Sequence, residues 1–107
     1  MSSPAAPAVN RVQMSVTVVE REGLRYTPGG VPMLNAQVTH KSECIEAGTT
    51  RTVEMEMPVV FAGRLAETAA HFAVGIELDL SGFLAPRRRQ SKTLVLHVTG
   101  YELKHQT

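Results

Sequence analysis

Apolar residues occupy every second position through most of this chain, and that alternation restricts it to a fold built from half-buried strands. Val12, Met14, Val16 and Val18 alternate with Gln13, Ser15 and Thr17. Successive strand side chains point to opposite faces, so such a run buries one face and wets the other. Leu34, Ala36 and Val38 repeat the pattern against Asn35, Gln37 and Thr39. Val53, Met55 and Met57 repeat it against Thr52, Glu54 and Glu56, and the run continues through Val59-Val60-Phe61. Ile76, Leu78, Leu80 and Leu84 form a fourth run with Glu77 and Asp79 facing out. Leu94, Leu96 and Val98, alternating with Val95, His97 and Thr99, form a fifth that ends near Leu103. Pro58 lies inside the third run. Proline cannot donate to a ladder, so a bulge or an edge position is expected there.

One stretch changes the period. Leu65, Ala69 and Phe72 stand at i, i+4 and i+7 within the alanine-rich segment Gly63 to Phe72, the spacing of one short amphipathic helix, with Gly75 as its stop. The connections carry turn chemistry. In Arg25-Tyr26-Thr27-Pro28-Gly29-Gly30 the proline presets the first turn position and the next glycine accepts positive φ, which predicts a hairpin tip. Glu46 to Thr50 reads as a second loop, and Pro86 to Ser91 as a polar, basic one.

The order is therefore three strands, a helix and two strands. It predicts a mainly-β chain and matches the five-stranded oligonucleotide-binding (OB) barrel, although another small α+β domain shares the same element order. A length of 107 residues suits one domain with one modest core. Residues 10–107 are expected to form it. The Ala/Pro/Ser-rich start, residues 1–9, has no basic region followed by an apolar one and reads as a disordered arm rather than a signal peptide. Apolar runs of a few residues exclude a membrane-spanning helix. The single cysteine, Cys44, has no internal disulfide partner, which favours a reducing compartment.

The net charge is only +1, so an anionic partner would have to be held by a local patch. The densest is Arg87-Arg88-Arg89 with Lys92, four cations without an intervening acid. The loop between the last two strands is one that OB barrels use to hold oligonucleotides, and guanidinium forks bind phosphate bidentately. Arg25 at the first hairpin tip and Lys41 and Arg51 around the second loop are each ordinary surface charges alone. With the arginine cluster they would form one stripe across the barrel face, opposed by Glu54 and Glu56 if those share it. Only five aromatic residues are present, without tryptophan. Phe61 and Phe72 are expected in the core, whereas Phe83 falls on the outward phase of its run. Tyr26 sits at a loop tip and Tyr101 near the end. Phosphate contacts are therefore expected to outweigh base stacking.

Enzyme readings find little support. Cys44 with His40 four residues away imitates a nucleophile and base, but a lone structural cysteine explains it more simply. The histidines His40, His71, His97 and His105 lack metal-ligand spacing with Cys44, and Arg25 to Gly30 lacks the glycine spacing of a phosphate loop. No cofactor motif is present.

Particular segments carry a resemblance. Asn10-Arg11-Val12 before the first alternation, then Pro28 with Gly30-Val31-Pro32, looks like the start of a bacterial single-stranded-DNA-binding protein. His40-Lys41-Ser42, Glu46-Ala47-Gly48, Met57-Pro58-Val59, Gly82-Phe83 and Leu94-Val95-Leu96-His97 follow in order. Together, from about Asn10 to Leu103, the chain resembles the primosomal replication protein N (PriB) family. That resemblance implies an OB-fold homodimer without catalytic activity, cytoplasmic and nucleoid-associated in a bacterium. It implies binding to single-stranded DNA and to the primosomal helicase at stalled forks, which is helped to pass the fork to the downstream primosome component. Lys41 and Arg51 match basic positions of the family. Two departures stand out: family aromatics that follow the Glu-Ala-Gly segment and stack on bases are replaced here by Thr49 and Glu54, and the basic loop before the last strand is shorter. They leave open a rival of another class, an OB-fold protein-interaction module that barely binds DNA.

Overall fold

A computed structural model describes residues 8–104. The strands β1 (Val12–Arg21), β2 (Arg25–Tyr26), β3 (Pro32–Glu46), β4 (Thr49–Ala62), β5 (Glu77–Pro86) and β6 (Leu94–Leu103) surround one helix, α1 (Arg64–Ala69), between β4 and β5. The order across the sheet is β1-β5-β6-β4-β3-β2, and a further β1–β3 pairing closes it into a barrel of five long strands. β1 achieves this by serving both neighbours: Val12 to Thr17 face β5, and Thr17 to Arg21 face β3. The remaining seam is a short parallel contact, Val59 opposite Leu96 and Val60 opposite His97. The fold expected from the alternation is thus the fold observed. The disordered arm expected over residues 1–9 lies outside the described residues except for Ala8 and Val9, as does His105.

The inward phase of every run supplies the core. Val16, Val18, Leu34, Val38, Val59, Phe61, Leu78, Leu80 and Leu96 are all buried. Removing this apolar surface from water, at roughly 25 cal/mol per Å² before entropy is counted, is what holds the barrel closed. Ala66 and Ala69 of α1 are fully buried against it. Phe72 stands edge-on between Phe61 and Tyr101, with centroids 6.0 and 5.2 Å away. Tyr101 is therefore part of the core rather than a ring left free near the chain end.

Several boundaries differ from the sequence expectation. The helix is shorter than Gly63 to Phe72: after Ala69 the amides of His71 and Phe72 reach back three residues, to Thr68 and Ala69, in a tightened last turn. Gly75 does not end α1. It takes φ 97° further along, where the chain turns back to the barrel and its amide donates to the Val18 carbonyl at 2.7 Å. In the first connection the positive φ falls on Gly30, not Gly29, and the Gly30 amide closes the Thr27–Gly30 turn at 2.8 Å. Pro58 makes no bulge. The β3–β4 ladder passes Gln37–Pro58 without a shift, and pairing with β6 begins only at Val59, so the edge reading is the one that fits.

The largest difference is the β3–β4 hairpin. The expected Glu46–Thr50 loop is only Ala47-Gly48, at φ 52° and 76°, the doubly left-handed geometry of a tight hairpin turn. The ladder runs unbroken from Met33–Ala62 to Glu46–Thr49. From Glu43 to Thr52 every residue is exposed, so this part is an arm that stands off the barrel.

Candidate nucleic-acid interface

Register fixes which side chains share the outer face. Asn35 on β3 stands opposite Val60 on β4, Val60 opposite His97 on β6, and His97 opposite Phe83 on β5. One step along, Gln37 stands opposite Pro58 and Ala85 opposite Val95. These are the polar or off-phase members of the alternating runs, turned outward because their neighbours fill the core. Val60 and Val95 are nevertheless buried, at the bottom of a depression between the connections on either side.

Those connections build a groove of about 330 Å³. One wall is the β1–β3 connection, with Glu22 and Arg25. The other is the β5–β6 connection, with Arg87 and Arg88. The floor is Asn35, Gln37, Pro58, Val60, Val95 and His97. The second wall is an ordered turn: the Arg87 amide donates to the Thr93 carbonyl at 2.8 Å, and the Ser91 amide to the Arg88 carbonyl at 2.9 Å. Gln90, at φ 66°, makes the reversal. From the first wall to the floor, Arg25 Nη2 donates to Asn35 Oδ1 at 3.4 Å. Three guanidinium groups from two connections thus border a partly apolar floor with amide side chains. Such a concavity can take phosphates at its rim and flat or polar groups on its floor.

The sequence-predicted cations separate into two places. Arg25, Arg87 and Arg88 line the groove, while Arg89 and Lys92 are exposed on the same connection outside its lining. Lys41 and Arg51 stand on the hairpin arm, in opposite side-chain phases of its ladder, because Lys41 faces Glu54 and Arg51 faces Cys44. Each is paired with an acid: Lys41 Nζ lies 3.3 Å from Glu54, and Arg51 Nη1 lies 2.8 Å from Glu46. Exposed pairs of this kind contribute about 0–1 kcal/mol to stability, but each acid cancels the charge its partner offers an anion. The single stripe expected from the sequence is therefore a groove cluster and a neutralised arm. Glu56 shares the outward phase of Pro58 and Val60, so it bounds the groove face on the side toward the arm.

Sequence reasoning passed over two features of this face. The Asn10 amide accepts from the Leu84 backbone N–H at 3.0 Å and donates to its carbonyl at 2.8 Å, tying the entry to β1 onto β5 and placing Arg11 at the sheet's margin. The ring of His97 stacks on Phe83, with centroids 5.0 Å apart and planes within 3°. The outward phase of Phe83 was legible; its partner on a strand distant in sequence was not. The Cys44–His40 suggestion loses its geometry. The His40 Nδ1 lies 2.7 Å from the Ser15 carbonyl and Nε2 lies 2.7 Å from Ser42 Oγ, while Ser42, not His40, neighbours the Cys44 sulfur at 3.7 Å.

Comparison with known proteins bears on this arrangement. Residues 10–100 match the model of a family described as "another single-strand binding protein family". The replication restart protein PriB of Bordetella pertussis is 39% identical over 90 residues, which cover 84% of each chain. The crystal structure of PriB from Ralstonia solanacearum superimposes with a TM-score of 0.84 at 43% identity, covering 92% of this chain and all of that one. The single-stranded DNA binding protein of Thermus aquaticus has the same fold, with a TM-score of 0.73 at 22% identity, covering 94% of this chain and 52% of that one.

Proposed function

This chain belongs to the replication restart protein PriB family of single-strand binding proteins, and from that premise we propose that it acts by holding single-stranded DNA in the groove between its β1–β3 and β5–β6 connections. The observation that carries this reading is the convergence of Arg25, Arg87 and Arg88 on the β3–β4 face. That face and those two connections are the surfaces on which OB barrels bind oligonucleotides. The arginines hold phosphates and the floor accommodates bases, without catalysis. Arg89 and Lys92 add longer-range attraction from the exposed tip, and Lys41 and Arg51 join only if their acids are displaced. The work done is positional: the single strand of a stalled fork is kept beside the primosomal helicase, and the fork then passes to the downstream primosome component in the bacterial cytoplasm.

Pairing of two copies would lengthen the DNA track. β1 meets β3 only from Thr17 onward, so among the described residues Val12 to Val16 have a strand neighbour on one side only. Gln13, Ser15 and Thr17 on its outward phase carry no charge, as a shared homodimer face requires. The rival reading, a protein-interaction module with little DNA affinity, is favoured by two observations on the arm: its cations Lys41 and Arg51 are internally paired, and Ile45 near its tip is 73% exposed.

The triple variant Arg87→Ala, Arg88→Ala, Arg89→Ala separates the two. If the groove holds phosphates, the variant stays folded, and each lost contact flattens the logarithmic salt dependence of single-strand binding by about 0.7. If the protein is an interaction module, the variant keeps its small DNA affinity and loses helicase contact instead.

A further inference from the structure

We propose that the stacked pair of Phe83 and His97 is a base-stacking platform, and that a bound strand crosses the sheet along the row Arg25, Asn35, Val60, His97, Phe83 and Arg11. The inference rests on the reading that this face holds single-stranded DNA, and adds to it the path and the residues that meet the bases.

Phe83 has no part in the core. Phe61 is 1% and Phe72 8% exposed, whereas Phe83 is 39% exposed on the outward phase of β5. Its ring is nonetheless held in place, parallel to that of His97 at 5.0 Å. Rings fixed against a sheet cost little further ordering when a base settles on them, and every base has a π-face to offer. The approach that makes the stack possible is enforced next door: Gly82 lies so close to β6 that a Cβ there would stand 2.9 Å from the carbonyl carbon of His97.

The pair is also continuous with the groove. His97 is both its floor and the register neighbour of Phe83. Beyond Phe83 the ladder of β1 and β5 reaches Val12 opposite Gly82, and the Asn10–Leu84 bonds carry it further, which sets Arg11 level with Phe83. Followed round the curved outside of the barrel, with strands about 4.8 Å apart, the row runs roughly 14 Å from β3 to β5 and about 19 Å to Arg11. It begins and ends on a guanidinium group, with Arg87 and Arg88 above its middle, the order of charges and flat surfaces that a sugar–phosphate chain with splayed bases requires. The family aromatics missing at Thr49 and Glu54 lie on the arm, away from this row, so stacking here falls to residues of the barrel itself.

The test compares a labelled oligothymidine with an abasic oligonucleotide of equal length, by fluorescence anisotropy at several salt concentrations. The parent binds the thymidine strand more tightly. Phe83→Leu and His97→Leu, each checked for a parent-like melt, lose about tenfold on the thymidine strand, about 1.4 kcal/mol at 25 °C. Both leave abasic binding and the salt slope unchanged. Either variant retaining the parent's full preference for bases overturns the platform while leaving phosphate binding in the groove intact. A parent with no affinity for either strand at low salt overturns the DNA reading and the platform with it. A variant that keeps the base preference but sediments differently from the parent makes this face a contact between copies, which also overturns the platform.

Discussion

Replacing Gly82 with alanine places a methyl group where β5 and β6 leave none. The added carbon collides with the carbonyl oxygen of His97, and lies 2.9 Å from its carbonyl carbon and 3.1 Å from the Cα of Val98. All three are backbone atoms, so no side chain can swing aside. The ladder already shifts register between Ser81 and Gly82, so the strands are at a bulge and can part only by losing pairing. Overpacking of this kind costs about 1–3 kcal/mol, and the upper half applies where the obstacle is backbone. Alanine returns about 0.4–1 kcal/mol by restricting the unfolded chain. The net is about 1–2.6 kcal/mol of lost stability, a fall in melting temperature of roughly 4–21 °C for a domain of this size. Thermal melts of parent and variant at one protein concentration read it directly, since self-association would make the midpoint concentration-dependent. Because the parted segment carries Phe83 and His97, single-strand affinity should fall with it. A variant melting within about 2 °C of the parent would mean that β5 and β6 are not held at this distance.

Two further outcomes follow from the backbone. Ala47 carries φ 52° in a two-residue turn whose second residue is glycine; Ala47→Asn should raise the melting temperature by a few degrees, because asparagine tolerates the left-handed region that costs alanine about 1 kcal/mol. The half-paired β1 and its uncharged outward face predict that sedimentation at micromolar concentration shows a species twice 11.6 kDa; an 11.6 kDa species alone would remove the dimer from the account.

The barrel was legible because one buried face imposes period two on every strand that lines it. Val16, Leu34, Val59, Leu80 and Leu96 all appear in phase in the sequence and all reach the core. The arm was not legible for the same reason. His40 to Glu46 show no alternation, because beyond the barrel both faces of the hairpin are wet and the only surviving signal is the Ala47-Gly48 turn. The helix was overextended because Phe72 keeps a helical spacing with Ala69 although it packs through a tighter turn. The β5–β6 arginines could be found as a charge cluster within one loop. Their convergence with Arg25 depends on barrel closure, which joins residues more than 60 positions apart and leaves no local mark. The pairing of Lys41 with Glu54 and Arg51 with Glu46 likewise needed the register of the ladder, which a loop assignment at Glu46–Thr50 concealed. Phe83 announced itself by phase, and His97 only through its strand partner.

Whether the groove is a single-strand site is decided by comparing single-stranded and duplex DNA of the same sequence, bound by the parent protein at one moderate salt concentration. A narrow groove walled by two connections, and no helix placed to enter a duplex groove among the described residues, predict clear preference for the single strand with little dependence on base sequence. Equal binding of the two forms would show that the arginines attract phosphate without regard to strand state, and would contradict the assignment of this face as a single-strand site.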